Sequence, residues 1–233
     1  MILQDRDIYI FRFIQDMKVV CAEDIMNWFF GGKGAPAYRR IKKFEEAGFI
    51  VRKRVALSKR NYIFLTQPAL DLVRGEFEEI MYPEKALKDI DWSTVRHDIV
   101  VLRARKYIEK KWDIKEWISE YHLRNTLGEK IREMKKNGRN NNITIPDAGI
   151  ILKDGTYIAF ELELTEKSIH RTKEKLDGLC HLLVSWDKYK KSFDRVLFIT
   201  GTRKLLLRTK RIYEKYDTGG KEKFDFAALE ELE

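Results

Sequence analysis

Asp147, preceded by Pro146, stands fourteen residues before Glu161, and Glu163 follows two positions later. Carboxylates so spaced on neighbouring strands can share a divalent cation such as Mg²⁺ or Mn²⁺, which activates water and offsets charge on a phosphodiester. Strand alternation supports the convergence. In Tyr157–Leu164 the residues Ile158, Phe160, Leu162 and Leu164 fall on one face, which leaves Glu161 and Glu163 together on the other. Hydrolysis of this kind ordinarily adds a Lys two residues after the second acid, and Glu163 occupies that place. The triad Asp147, Glu161 and Glu163 therefore has three readings: turn and strand-end carboxylates with only structural partners, a metal site at Asp147 and Glu161 that does not cleave, or a catalytic site. In the last case Lys167, Lys173 or Lys175 would have to supply the missing cation.

A second group is defined by charge. Residues 33–60 hold ten Lys and Arg against Glu45 and Glu46, while the whole chain carries a net +9. Nearly all of the excess lies in one short stretch, as expected of a nucleic-acid surface. Within it Ala37, Ile41 and Phe44 recur at helical spacing, and Arg39 and Lys43 point about 200° away from Ile41. Arg39, Arg40 and Lys43 are thus expected to enter a major groove, with Lys33 and Lys42 in the same DNA-binding surface. There Arg pairs with guanine and Lys holds phosphate. Arg52, Arg54, Lys59 and Arg60 are expected to follow the backbone.

Other chemistries are excluded by the composition. Cys21 and Cys180 are far apart, each within an apolar helical pattern, so both read as reduced core thiols rather than a disulfide or zinc set. The four His lack the spacing of common zinc motifs. No stretch is long and apolar enough to span a membrane, and the first residues lack a signal-peptide pattern, so a cytoplasmic protein is expected.

The elements that must position these residues fall into two differently built halves. Helices are expected over Gln4–Ile14, Glu23–Phe30 and, after the break at Gly31, Gly32 and Gly34, from Pro36 to Ala47. Strands Phe49–Ala56 and Tyr62–Thr66 follow, with Ser58 to Asn61 as the hairpin tip. Three helices and a hairpin form a winged helix-turn-helix over residues 1–75, and a helix capped by Thr66 offers a homodimer contact. A linker is placed at 76–91. Residues 92–233 read as an α/β domain with a mixed sheet: helix Trp92–Lys111, strand Ile114–Ser119, a loop over Gly128–Asn142, strands Ile143–Leu152 and Thr156–Leu164 about Asp154-Gly155, helix Glu166–Val184, strand Arg195–Thr200 and helix Arg203–Tyr216.

Taken in order, Ala37-Tyr38-Arg39-Arg40-Ile41, Glu45-Glu46-Ala47-Gly48-Phe49-Ile50, Phe64-Leu65-Thr66, Arg96-His97-Asp98, Pro146-Asp147 and Glu161-Leu162-Glu163 resemble the replication-relaxation family of plasmids, phages and conjugative elements. The likeness spans roughly residues 3 to 205. It implies an α+β protein, a winged helix joined to a restriction-endonuclease-like domain of the PD-(D/E)xK kind. The expected function is double-stranded DNA binding that controls replication, mobilisation or transcription of a mobile element. DNA binding of that kind requires no cofactor. With Glu163 in the Lys position, the second domain is expected to keep the nuclease fold without cleaving. The alternatives are a metal-dependent endonuclease or nickase, and an accessory protein that recruits replication or mobilisation proteins.

Overall fold

The computed structural model describes residues 1–55, 60–78, 80, 82–87, 94–136, 143–183, 193–215 and 223–232. Its contacts divide the chain into two compact units, Met1–Leu102 and Arg103–Glu233.

The first unit opens with α1 (Asp5–Met17), the two-residue strand β1 (Val20–Cys21), α2 (Ala22–Phe29) and α3 (Gly34–Glu46). Strands β2 (Ile50–Val55) and β3 (Arg60–Leu65), then α4 (Gln67–Glu76), follow. Local chemistry sets the helix ends. The Gln4 N–H donates to the Asp7 carboxylate at 2.7 Å and the Cys21 N–H to that of Asp24 at 2.9 Å, each satisfying a backbone donor at a helix entry. Gly31 and Gly32 take positive φ between α2 and α3, and Gly48, at φ 74°, ends α3 with the Phe49 N–H donating to the Phe44 carbonyl at 2.9 Å. Thr66 occupies the position before α4. Its hydroxyl donates to the Gly48 carbonyl at 2.6 Å rather than capping the helix as expected. That bond ties the end of the hairpin to the end of α3.

Ala37, Ile41 and Phe44 are the buried residues of α3, the stripe their spacing predicts. Phe44 meets Phe11 of α1 edge-on, ring centroids 4.9 Å apart. The small sheet runs β1-β3-β2, all antiparallel, with Cys21 opposite Tyr62 and Arg52 opposite Ile63. Cys21, expected within a helical pattern, lies instead in β1, a strand too short to show a period of its own. Three helices closed by this sheet form a winged helix. The start of α5 (Val95–Lys111) belongs to the same unit, and Val95 and Ile99 pack on Val19, Cys21, Tyr62 and Phe64.

In the second unit, β4 (Ile114–Ser119), α6 (Glu120–Lys136), β5 (Ala148–Leu152), β6 (Tyr157–Glu163), α7 (Ile169–Leu183), β7 (Arg195–Thr200), α8 (Arg203–Lys215) and β8 (Phe224–Ala228) follow the end of α5. The sheet order is β4-β5-β6-β7-β8. The first three strands pair antiparallel and the last three parallel, a mixed sheet flanked by helices, as in restriction-endonuclease-like domains. The β5–β6 turn is set by Gly155 at φ 90°, with the Asp154 carboxylate accepting the Thr156 N–H at 2.8 Å. Two expectations change. Gly128–Lys136, expected as loop, is the second half of α6, and residues 137–142 lie outside the described residues. The segment is rich in Lys, Glu and Arg, good helix formers, and its scarcity of apolar residues hides the helical period. The expected strand from Ile143 begins only at Ala148.

No described helix is long and apolar enough to cross a membrane.

Candidate functional site

The register of the β5–β6 hairpin places the acids. Ala148 pairs with Phe160, so the next step of the ladder sets Asp147 beside Glu161 at the mouth of the hairpin. The Asp147 carboxylate accepts the Leu162 N–H at 2.8 Å, which fixes it against the strand that carries the other two acids. Glu161 and Glu163 share a face of β6 and are buried, at 2% and 8% relative exposure.

Lys175 of α7 completes the group. Its Nζ donates to Glu161 Oε1 and lies 3.3 Å from Glu163 Oε2, while Lys167, just before α7, pairs with Glu163 Oε2 at 2.6 Å. Of the three lysines considered as substitutes for the missing cation, Lys167 and Lys175 are at the acids and Lys173 is exposed. Helical spacing does not make this choice, since Lys175 lines up with Leu179 and Leu182 at i+4 and i+7 and Lys173 with Leu176 and Cys180 at i+3 and i+7.

Electrostatics follow from three carboxylates facing two ammonium groups. Burial, and then the charge of Asp147, push the Glu161 carboxyl above its ordinary range against the opposing pull of Lys175. Burial would also raise Glu163, but Lys175 and Lys167 outweigh it and hold that carboxyl below the usual range. Burial works against the Lys175 charge as well, and Glu161 and Glu163 overcome it, so the ammonium is held above the usual lysine range. Lys175 keeps its proton for all three acids, and Glu161, the most enclosed of them, is the one driven to take an extra proton. Glu161 Oε2 is buried without a hydrogen-bond partner, which suits either that proton or a cation. Among the described residues no group of three or more His, Cys, Asp and Glu is disposed to hold a metal ion, so a metal reading rests on Asp147 and Glu161.

In the first unit Lys33, Arg39, Lys42, Lys43, Arg52, Arg54 and Arg60 are exposed, and Lys59 lies outside the described residues. Arg40 differs from its expected placement. Its Nε donates to Asp7 Oδ1 at 3.0 Å, and its Nη2 donates to Asp7 Oδ2 and, at 2.9 Å, to the Ile2 carbonyl. Asp7 is fully buried. Arg40 therefore fastens α3 to α1 through a two-pronged pair, and the outward charge of α3 is carried by Arg39, Lys42 and Lys43. On the wing, Arg52 Nε donates to Glu45 Oε1 at 3.0 Å, and this pairing holds the Glu45 carboxyl below its usual range. A cleft of about 480 Å³ runs beside α3, its lining including Arg6, Arg39, Arg40, Lys42 and Lys43. Arg6, whose guanidinium lies 4.3 Å from the centroid of the Phe30 ring, was not singled out by the sequence. Its place in the cleft depends on how α1 packs beside α3, which no local spacing signals.

No family model and no curated protein matches this sequence. Among solved structures the chain is similar to a crystal structure of a repair endonuclease from Pyrococcus abyssi, at 15% identity and a TM-score of 0.28. The match covers 77% of this chain, which spans 64% of the other.

Proposed function

We propose that this protein binds double-stranded DNA through the winged helix of its first unit and so controls replication, mobilisation or transcription of a mobile element. The observation that carries the reading is the exposed cationic face of α3, Arg39, Lys42 and Lys43, opposite the buried stripe Ala37, Ile41 and Phe44. A helix anchored on its apolar side and cationic on the other fits a major groove edged by phosphates. The mobile-element role comes from the resemblance to the replication-relaxation family. A homodimer joined through α4 fits this reading, since paired half-sites raise specificity. Light scattering of the free and DNA-bound protein tests it, and a monomer in both states removes it. Selection of bound duplexes from random sequence tests the main reading. Recovery of one enriched site supports a regulator, and the absence of any duplex binding refutes it.

A metal-dependent nuclease is the second reading, and Lys175 is the observation that favours it. The cation absent at position 163 stands at the same acids, contributed by α7. Asp147 and Glu161, with the unpartnered Glu161 Oε2, are the residues that would hold Mg²⁺ or Mn²⁺. A bound divalent ion would supply Lewis acidity and a more acidic water. Lys175 would orient and neutralise Glu163, and its charge would favour the approach of a phosphodiester. The third reading, recruitment of replication or mobilisation proteins, predicts co-purification of such a protein irrespective of DNA. Incubating supercoiled plasmid with the protein and Mg²⁺ or Mn²⁺ separates the first two readings.

A further inference from the structure

We propose that α8 is a second nucleic-acid surface, one that belongs to the second unit and binds the phosphodiester backbone without reading sequence. The helix carries Arg203, Lys204, Arg208, Lys210, Arg211 and Lys215 against Glu214 alone. At ~100° per residue all six fall within an arc of ~160°, and the buried Leu205, Leu206, Thr209, Ile212 and Tyr213 occupy the opposite side. The apolar side is already covered by the protein. Arg203, Lys204, Arg211 and Lys215 are exposed, and Leu207, half-exposed, is the single apolar residue in the cationic arc. A lipid surface would need apolar side chains to insert, and this face offers one. A polyanion needs only charge in a row. The helix is ~20 Å long at ~1.5 Å per residue, and one strand of duplex presents a phosphate every ~3.4 Å, so several phosphates fall within its reach.

The position of α8 supplies the second argument. Arg208 Nη1 donates to the Lys167 carbonyl at 2.8 Å and pairs with Glu166 Oε1 at 2.9 Å. Lys167 in turn pairs with Glu163 at 2.6 Å. The cationic helix is therefore tied directly to the segment that edges the carboxylate–lysine cluster, and a strand held along α8 is brought toward those side chains. The row of cations along the helix suits the regular row of phosphates on a nucleic-acid strand, which an acidic protein surface does not offer.

This inference rests on the reading of the protein as a duplex binder, and the test separates the two. Binding of the full chain to a 20-base-pair duplex of random sequence is measured by anisotropy over a range of salt. The triple variant Lys204→Gln, Arg211→Gln, Lys215→Gln leaves Arg208 and the buried face intact. It should flatten the slope of log K against log salt by about 2.7, at about 0.9 for each phosphate no longer neutralised. A variant with Arg39→Gln and Lys43→Gln forms the second arm. Weakened binding in that arm with an unchanged slope in the α8 triple overturns this inference and leaves the winged-helix reading standing. Unchanged binding in both arms overturns both. Where the triple variant does not fold, Arg211→Gln alone should flatten the slope by about 0.9 and Arg211→Lys should preserve it. Equal slopes for Gln and Lys would overturn the inference.

Discussion

Lys175 Nζ stands 3.3 Å from Glu163 Oε2, although the two residues lie on different elements, α7 and β6. The strand that ordinarily carries the lysine carries a third acid here, and the helix behind it returns the charge to the same place. Glu163 in the usual lysine position therefore does not leave the acids without a cation. The arrangement also gives a structural account of the acids, because two lysines neutralise most of three buried or half-buried carboxylates.

The Asp7–Arg40 pair should be a stability determinant of the first unit. Arg40→Ala leaves the fully buried Asp7 without its cation and should lower the free energy of unfolding by roughly 3–5 kcal/mol, the range for breaking a buried pair from one side. Urea denaturation measures this. A loss below about 1 kcal/mol would show that Arg40 is free in solution and available to DNA after all.

What the sequence disclosed was whatever a local period could encode. The stripe Ala37, Ile41 and Phe44, the turn at Asp154-Gly155 and the alternation that puts Glu161 beside Glu163 all depend on residues close in the chain. What it hid was decided by distant partners. Arg40 looks as free as Arg39 until Asp7, thirty-three residues earlier, is found buried against it. Lys175 is one of several lysines until the packing of α7 selects it. Phe224-Asp225-Phe226 alternates, but a five-residue edge strand gains its identity from pairing with β7, so β8 is not legible from its own residues.

Arg39 and Lys43 should separate base reading from phosphate holding. Arg39→Ala should weaken a selected site by roughly 1–3 kcal/mol while affecting random duplex less, as a residue reading a base does. Lys43→Ala should weaken all duplexes alike and flatten the salt slope by about 0.9. Competition binding with selected and scrambled duplexes distinguishes them. Equal losses on both duplexes for Arg39→Ala would assign it to phosphate instead.

Cys21 should be unreactive in the folded protein. Burial, and then hydrogen bonding of the thiol to Asp24 at 2.9 Å, raise it far above the ordinary thiol range. A group whose acid form is favoured by folding stabilises the fold fully below its unfolded value, and that contribution declines as pH rises past it. Stability should therefore fall with alkaline pH above about 9, and Cys21→Ala should remove part of that slope. Thiol titration with and without denaturant supplies the check. Rapid labelling of Cys21 in the native protein at pH 8 would contradict its placement.

Lys175 and Glu161 should be coupled, and the coupling also tests the chemistry. Lys175→Met leaves Lys167 alone to offset Asp147, Glu161 and Glu163, and should destabilise the second unit by roughly 3 kcal/mol. Glu161→Gln removes the acid that burial already opposes, so its effect should be smaller, and the double variant should recover about 0.5–3 kcal/mol of the Lys175→Met loss. Thermal unfolding of the four proteins closes this cycle, and strict additivity would mean that the contact does not persist in solution. The parent protein should leave supercoiled plasmid intact with Mg²⁺ if the second unit only binds. Nicking with Mn²⁺ that disappears in Asp147→Ala, Glu161→Ala and Lys175→Met, each shown to be folded under the assay conditions, would establish the nuclease reading and give Lys175 the part that position 163 has given up.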